Sequence, residues 1–423
     1  MANPRQPRDL IFSLSFGAAT AALAIAFMLT VVATQPARAQ TYTVLHNFTG
    51  GGDGFYPKAG VTLDQAGSLY GTADGFESYG YGTVYKLTHQ GSNWSLNPLY
   101  EFTGGSDGAN PEARVIFGPN GTLYGTTYAG GTYNGGTVFN LRPYPAVCKT
   151  ALCPWAETVL YPFSRGADGY YPSPADLIFD QAGNIYGTTI DPSGNGVVYE
   201  LTPSGGGWTE SVLHSFSGYP DGAGPFGGVI LDNAGNLYGT TESGGTGSGQ
   251  GTVFELTYSM GSGWSESILY SFQGGSDGGV PLVGLIFDPL GNLYGATSDG
   301  GSGGGGTVFK LTPSGGSWTF SLVYSFTGNL CGPEGKLVMD GAGSLYGTTA
   351  CDGAYNQGSV FELTPSNGAW TYRSLHDFCA GGYPCSDGRF PLGNVVFDTS
   401  GHLYGTAEQG GTDDGGVVWE ITP

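Results

Sequence analysis

A tyrosine-glycine step recurs at Tyr70, Tyr124, Tyr186, Tyr238, Tyr294, Tyr346 and Tyr404, at intervals of 52 to 62 residues. Self-similarity on this scale limits the fold more than any local propensity, because each copy must bury itself against the next. Every unit holds four short runs of β-branched or aromatic residues bounded by Gly, Pro, Asn or Asp, the signature of strands. In the fourth unit they are "GVILD" (228–232), "NLYGTT" (236–241), "GTVFELT" (251–257) and "WSESILYSF" (264–272). Six of the fourth runs place a tryptophan eight positions before a phenylalanine: Trp94, Trp155, Trp208, Trp264, Trp318 and Trp370. A tryptophan repeated in this way reads as packing between units.

The ends of the chain select the architecture. The seventh unit stops after its third run, at Pro423, while a solitary fourth-type run, "YTVLHNF" (42–48), precedes the first unit. Pairing the two closes a ring. An open solenoid would call for polar capping repeats, and none is visible. The expected fold is therefore all-β: a seven-bladed β-propeller of four-stranded blades over residues 40–423, its last blade closed by the N-terminal strand.

Residues 1–39 read as an export signal, with Arg5 and Arg8 before an apolar run from Leu10 to Ala33 and Ala37-Arg38-Ala39 as the cleavage segment. The run is also long enough to serve as an uncleaved membrane anchor. Either way the remainder is expected outside the cytoplasm, secreted or periplasmic. A net charge of −21 excludes nucleic acid as a partner, since polyphosphate would be repelled. Six cysteines, Cys148, Cys153, Cys331, Cys351, Cys379 and Cys385, form an even set that favours disulfides in an exported chain. "CKTALC" and "CAGGYPC" are local pairs without zinc-site spacing, and strand topology puts Cys331 and Cys351 on one face of one blade.

Alternating strand direction places the fourth-to-first and second-to-third connections on one face, the top. There an Asp-Gly-x-x-Pro motif recurs at Asp53, Asp107, Asp168, Asp221, Asp277 and Asp387, and the sixth unit replaces it with "CGPEG". The motif reads as a turn whose Asp caps its own backbone, or as a ring of carboxylates facing a cation or a polyhydroxylated ligand. Calcium is a weak expectation, because one carboxylate per blade falls short of the six to eight oxygens it takes, and no other cofactor is expected. Binding sites on repeat proteins show where the repeat breaks. At the position opening the innermost strand, Gly60, Arg114, Asp176, Gly228, Gly284, Lys336 and Asn394 follow one another, which makes Arg114, Asp176 and Lys336 candidates for contact with a ligand in the axial channel.

Catalytic signals are sparse. His46, His214 and His376 replace Tyr100, Tyr161, Tyr270 and Tyr324 of other units and read as packing residues. No nucleophile elbow, zinc helix or phosphate loop is present. The unit "GNLYGTTxxGGxxxxGTVFELTP" followed by "WxxxxLYSF" resembles the GloVer-type tandem repeat of exported bacterial proteins, often described as choice-of-anchor proteins. That resemblance covers 42–423 and implies an exported repeat protein, with no activity to carry over. Such proteins often end in a surface-sorting segment, whereas this sequence ends with its last blade strand, so release or N-terminal retention is expected.

The expected function is a non-enzymatic binding or scaffold module that recognises a glycan, a surface polymer or a protein through its top-face loops. The alternative is a secreted polysaccharide-active hydrolase or lyase with its site at the channel mouth, and assembly into an extracellular lattice is a third reading. A deep top pocket with converging perturbed ionisable groups would mark an enzyme, and a shallow repetitive face a scaffold.

Overall fold

The computed structural model describes residues 40–75, 80–91, 93–144, 155–328 and 331–423. The leader, Cys148 and Cys153 lie outside the described residues. Between Thr41 and Thr422 the chain forms seven four-stranded antiparallel sheets arranged as a ring, a seven-bladed β-propeller without helices among the described residues. In the seventh blade the order from axis to rim is Val396–Phe397, Leu403–Ala407, Val417–Thr422 and Thr41–Asn47. The last two run antiparallel, with Thr41 opposite Thr422 and Val44 opposite Trp419.

The repeated residues explain why the ring closes. In each blade the glycine of the Tyr-Gly step lies opposite the aromatic residue of the third strand, Gly239 against Phe254 and Gly405 against Trp419. A β-carbon on Gly239 would stand 2.5 Å from the Phe254 ring, so glycine is what lets the ring lie flat on the second strand. Onto that ring comes the phenylalanine ending the previous blade's fourth strand: Phe216 meets Phe254 edge-on at 5.1 Å, and Phe48 meets Tyr85 at 5.2 Å. Edge-to-face pairs of this kind contribute about 0.5–1.5 kcal/mol each beyond the area they bury. The tyrosine of the step receives the next blade's tryptophan, as Tyr238 receives Trp318 at 6.1 Å. The tryptophans are inter-blade packing, as their repetition predicts.

A threonine tie crosses five of the junctions, from Thr72, Thr188, Thr240, Thr348 and Thr406, while blade five carries Ala296 at that position. Thr240 Oγ1 donates to the Val283 carbonyl at 3.0 Å, and Thr406 in blade seven donates to the Ala59 carbonyl in blade one at 2.8 Å. The acceptors belong to the loops that enter the innermost strands, so the scaffold fixes the walls of the axial channel directly. Across the closing junction, Trp94 of blade one packs on Tyr404 of blade seven at 6.2 Å, and on its other side blade seven stacks Tyr42 of its closing strand on His376 of blade six at 3.7 Å. The core is accordingly divided into clusters between blades, and the closing one joins Phe48, Val61, Leu69 and Tyr85 to Tyr404 and Val418.

Two disulfides staple top-face loops, Cys331–Cys351 and Cys379–Cys385. Such bonds persist in an oxidising extracellular or periplasmic compartment. Among the described residues no helix is long and apolar enough to cross a membrane.

Candidate functional site

The loops entering the seven innermost strands line a funnel at the top of the channel, with a cavity of about 350 Å³. Its walls follow the repeat. Each blade contributes one outer lining residue: Lys58, Glu112, Pro174, Phe226, Leu282, Glu334 and Leu392. Deeper lie the residues that open the innermost strands, including Asp176, Gly284, Lys336 and Asn394. The wall is two-sided, because Pro174, Phe226 and Leu282 come from three consecutive blades and make an apolar arc, interrupted by Glu242 of blade four. Glu334, Lys58 and Glu112 supply charge on the other side.

The three symmetry-breaking residues converge at the floor. Arg114 grips Asp176 through Nε at 3.2 Å and Nη2 at 2.5 Å, and its Nη1 donates to the Val61 carbonyl at 3.3 Å. Asn394 Nδ2 donates to the same Asp176 carboxylate at 3.3 Å, while Asn394 Oδ1 accepts the Lys336 backbone N–H at 2.7 Å. Blades two, three, six and seven are thus joined across the axis. Burial alone would raise the Asp176 carboxyl, but the Arg114 charge and hydrogen bonds outweigh it and hold the group below its ordinary range. Lys336 moves the other way: burial lowers it, Asp176 opposes, and Arg114 adds to the lowering. The Lys336 side chain finds room because blade five has glycine at the equivalent position, and a β-carbon on Gly284 would meet Lys336 Cδ at 3.4 Å.

Nearer the mouth, Lys58 bridges Asp74 at 2.8 Å and Glu112 at 2.6 Å. Burial raises the Glu112 carboxyl even against the Lys58 charge, and it raises Glu242 and Glu334 as well, the last with a contribution from Glu408. These carboxyls hold their protons at higher pH than free glutamate does. Lys58, Glu112, Glu242 and Glu334 were not singled out in the sequence. For Lys58, Glu112 and Glu334 the signal was the residue after the motif proline, which changes chemistry from blade to blade, whereas Glu242 lies in the loop after the second strand and carries no such mark.

The Asp-Gly-x-x-Pro carboxylates are engaged within their own loops. Asp107 accepts from the Thr103 backbone N–H at 2.8 Å, the Thr103 hydroxyl at 2.6 Å and Tyr100 at 3.0 Å. Asp53, Asp168, Asp221 and Asp277 repeat the pattern with Thr49, Ser164, Ser217 and Gln273. Asp387 uses the Cys379 N–H and His376. His46 and His214 face Asp53 and Asp221 just as tyrosines face Asp107, Asp168 and Asp277, so histidine and tyrosine share one structural slot. Among the described residues no group of three or more His, Cys, Asp or Glu side chains is placed to hold a metal ion.

A sequence profile of the Gloeobacter/Verrucomicrobia repeat matches residues 27–153, 146–288 and 248–423. The chain belongs to that repeat family. The three matches tile the whole ring, so the Gloeobacter/Verrucomicrobia repeat here builds a propeller rather than an open array. No curated protein sequence matches the chain. Among solved structures, a candidate 6-phosphogluconolactonase from Bacteroides fragilis is 13% identical with a TM-score of 0.50, covering 92% of this chain and 100% of that one. PorZ, a bacterial surface component of the type-IX secretion system of Porphyromonas gingivalis, is 16% identical with a TM-score of 0.49, covering 89% of this chain and 47% of that one. At such identity the likeness is one of fold alone. Family and fold fit a surface or binding role, and the particular chemistry has to come from the funnel.

Proposed function

We propose that this protein is an exported binding protein whose top-face funnel receives one end of a polyhydroxylated glycan. The carrying observation is the two-sided wall. The apolar arc of Pro174, Phe226 and Leu282 suits the C–H face of a sugar ring, and the carboxyls of Glu112 and Glu334 opposite suit its hydroxyls. Exposed tyrosines on top-face loops, Tyr81, Tyr133, Tyr219, Tyr355 and Tyr383, offer further stacking surfaces to a longer chain. Cleavage of the N-terminal segment, or its retention as an anchor, would set whether the protein is free or held at the membrane.

A glycan array probed with the mature protein, with and without calcium, tests this reading. A bound oligosaccharide should be lost with Phe226→Ala and weakened with Glu334→Gln. An array without hits, or binding indifferent to Phe226→Ala, refutes the funnel as the glycan site; a calcium requirement would place a cation in the interface. Protein partners through the same loops would instead emerge as binding that survives both substitutions.

The raised carboxyls of the funnel also support a second reading, an enzyme acting on the bound glycan end. A carboxyl that holds its proton more tightly than free glutamate does is suited to act as a general acid. Release of product from a hit glycan, abolished by Glu334→Gln with binding retained, would establish it; an intact ligand after prolonged incubation refutes it.

A further inference from the structure

Among the described residues, one cation at the funnel floor, Lys336, makes no ion pair and is held only by the Asp176 charge at longer range. Lys58 has two carboxylates, Lys86 has Asp64 at 3.7 Å, and Arg114 has Asp176. Among the described residues, no carboxylate or carbonyl lies within bonding reach of Lys336 Nζ, and the only hydrogen bond of this residue to a side chain runs from its backbone N–H to Asn394. Asp176, the carboxylate whose charge reaches Lys336, already receives Nε and Nη2 of Arg114 and Nδ2 of Asn394. The Lys336 stem lies over Gly284, beside a wall that includes Val229, Leu282 and Val283. An ammonium set among aliphatic groups and near a guanidinium is disfavoured relative to the neutral amine, and a neutral lysine amine is a nucleophile.

We propose that Lys336 is a carbonyl-capturing amine, and that the funnel admits an aldehyde which Lys336 Nζ holds as a reversible imine. The inference rests on the reading of the funnel as a ligand site. An aldehyde fits better than an anion, because a carboxylate ligand would have to pass Glu112, Glu242 and Glu334 to reach the floor. The step is complete without a redox partner. The Nζ lone pair forms the C–N bond, and the carbonyl oxygen takes the proton that nitrogen gives up. The resulting carbinolamine then loses its hydroxyl and the second N–H proton as water, leaving C=N. The open-chain reducing end of a sugar and a free small aldehyde share this chemistry.

The test is reductive trapping of the wild-type protein with sodium cyanoborohydride at neutral pH, using glycolaldehyde in one arm and maltotriose in the other, followed by peptide mapping. Lys86 and Lys310, which lie over Tyr70 and Tyr294 on third strands, are internal controls. Lys336 should be modified several times faster than either in the glycolaldehyde arm, with a rate midpoint below the ordinary lysine value of about 10.4. In Lys336→Met that label should vanish while the labels on Lys86 and Lys310 stay unchanged. Labelling by maltotriose as well assigns the aldehyde to a sugar end, and labelling by glycolaldehyde alone assigns it to a small aldehyde. Modification of Lys336 no faster than the controls overturns the proposal, and because wild-type protein is used, misfolding cannot mimic that result. Glycan binding with an inert Lys336 would sink this inference and spare the binding reading; a reactive Lys336 with a silent array would do the reverse.

Discussion

Three consecutive blades bury a glutamate where their neighbours place an apolar or aromatic side chain, and this makes stability depend on pH in a direction that can be worked out. On the fourth strands, opposite the last leucine or isoleucine of each third strand, stand Tyr42, Leu96, Glu157, Glu210, Glu266, Phe320 and Tyr372. Phe320 stacks on Tyr270 of the preceding blade at 4.5 Å and 15°, and Tyr372 on Tyr324 at 4.9 Å and 11°. Glu210 faces Tyr161 and Asp168 in the equivalent slot, and its Oε1 has no hydrogen-bond partner among the described residues. Burial first, and the Asp168 charge second, push its carboxyl from 4.5 up to about 7. The folded state therefore binds the proton more tightly than the unfolded chain. Its contribution is fully present below about 4.5 and is lost as pH rises through about 7. The gap between those values sets a ceiling of about 3.4 kcal/mol. Solvent around a carboxyl that is only half-buried screens most of that, leaving about 1 kcal/mol. Glu210→Gln should thus match wild type at pH 5 and exceed it by about 1 kcal/mol at pH 8 in urea denaturation. Glu210→Phe should add about 0.5–1.5 kcal/mol over Glu210→Gln at both pH values by stacking on Tyr161. Asp168, held low by its Ser164 bonds against burial, titrates below this window and does not mask the effect. A Glu210→Gln advantage equal at pH 5 and pH 8, or larger at pH 5, would refute the reasoning.

Four other perturbations test the scaffold and the floor. Tyr199 buries a hydroxyl without a partner in a slot where other blades carry phenylalanine, so Tyr199→Phe should stabilise by about 1 kcal/mol in urea melts, and a loss of stability would contradict this. Gly239→Ala drives a methyl into the Phe254 ring and should cost about 1–3 kcal/mol; a neutral effect would mean that the ring can shift. Asp176→Asn leaves Arg114 and Lys336 together without a counter-charge and should cost about 3–5 kcal/mol near neutrality, whereas a loss below about 1 kcal/mol would show the floor to be solvated. Opening Cys331–Cys351, with 20 residues of separation, should cost about 3 kcal/mol, and opening Cys379–Cys385, with 6, about 2 kcal/mol, read as the shift in stability on adding reductant.

The fold was legible because its contacts are made by the repeated residues themselves. Gly239 lies under Phe254, Tyr238 receives Trp318, and Thr240 ties to Val283; the first pairing is written in all seven units, and the tryptophan and the threonine of the others in six. The closing strand was legible for the same reason, since Tyr42 through Phe48 carry the fourth-strand pattern at the wrong end of the chain. Side chains whose meaning depends on distance across the ring were harder to read. Arg114 and Asp176 stand 62 residues apart in sequence, and Asn394 stands 218 from Asp176. Their common position in the unit marks them as neighbours around the axis, but nothing in the unit says which of them touch. The buried glutamates Glu157, Glu210 and Glu266 were missed because a polar residue on an outer strand reads as a solvated edge; the preceding blade covers that edge here.

The positions free to vary are themselves informative. A residue between blades meets nearly the same neighbour at every junction, so drift there is opposed by packing on both sides. A residue facing the axial lumen meets no such copy, and its identity can change without disturbing the scaffold. Drift alone could scatter polar residues around a solvated mouth. It does not account for an ammonium at the floor that makes no ion pair, because a cation withdrawn from water and held only by the more distant Asp176 charge costs stability that a glycine, the residue in three of the six other blades, would avoid. Glycine at Gly284 even supplies the space that the Lys336 stem occupies. A Lys336→Gly variant should therefore be more stable than wild type, measured by urea denaturation at neutral pH. If it is less stable, the amine has a structural partner and the argument for a ligand at the floor fails.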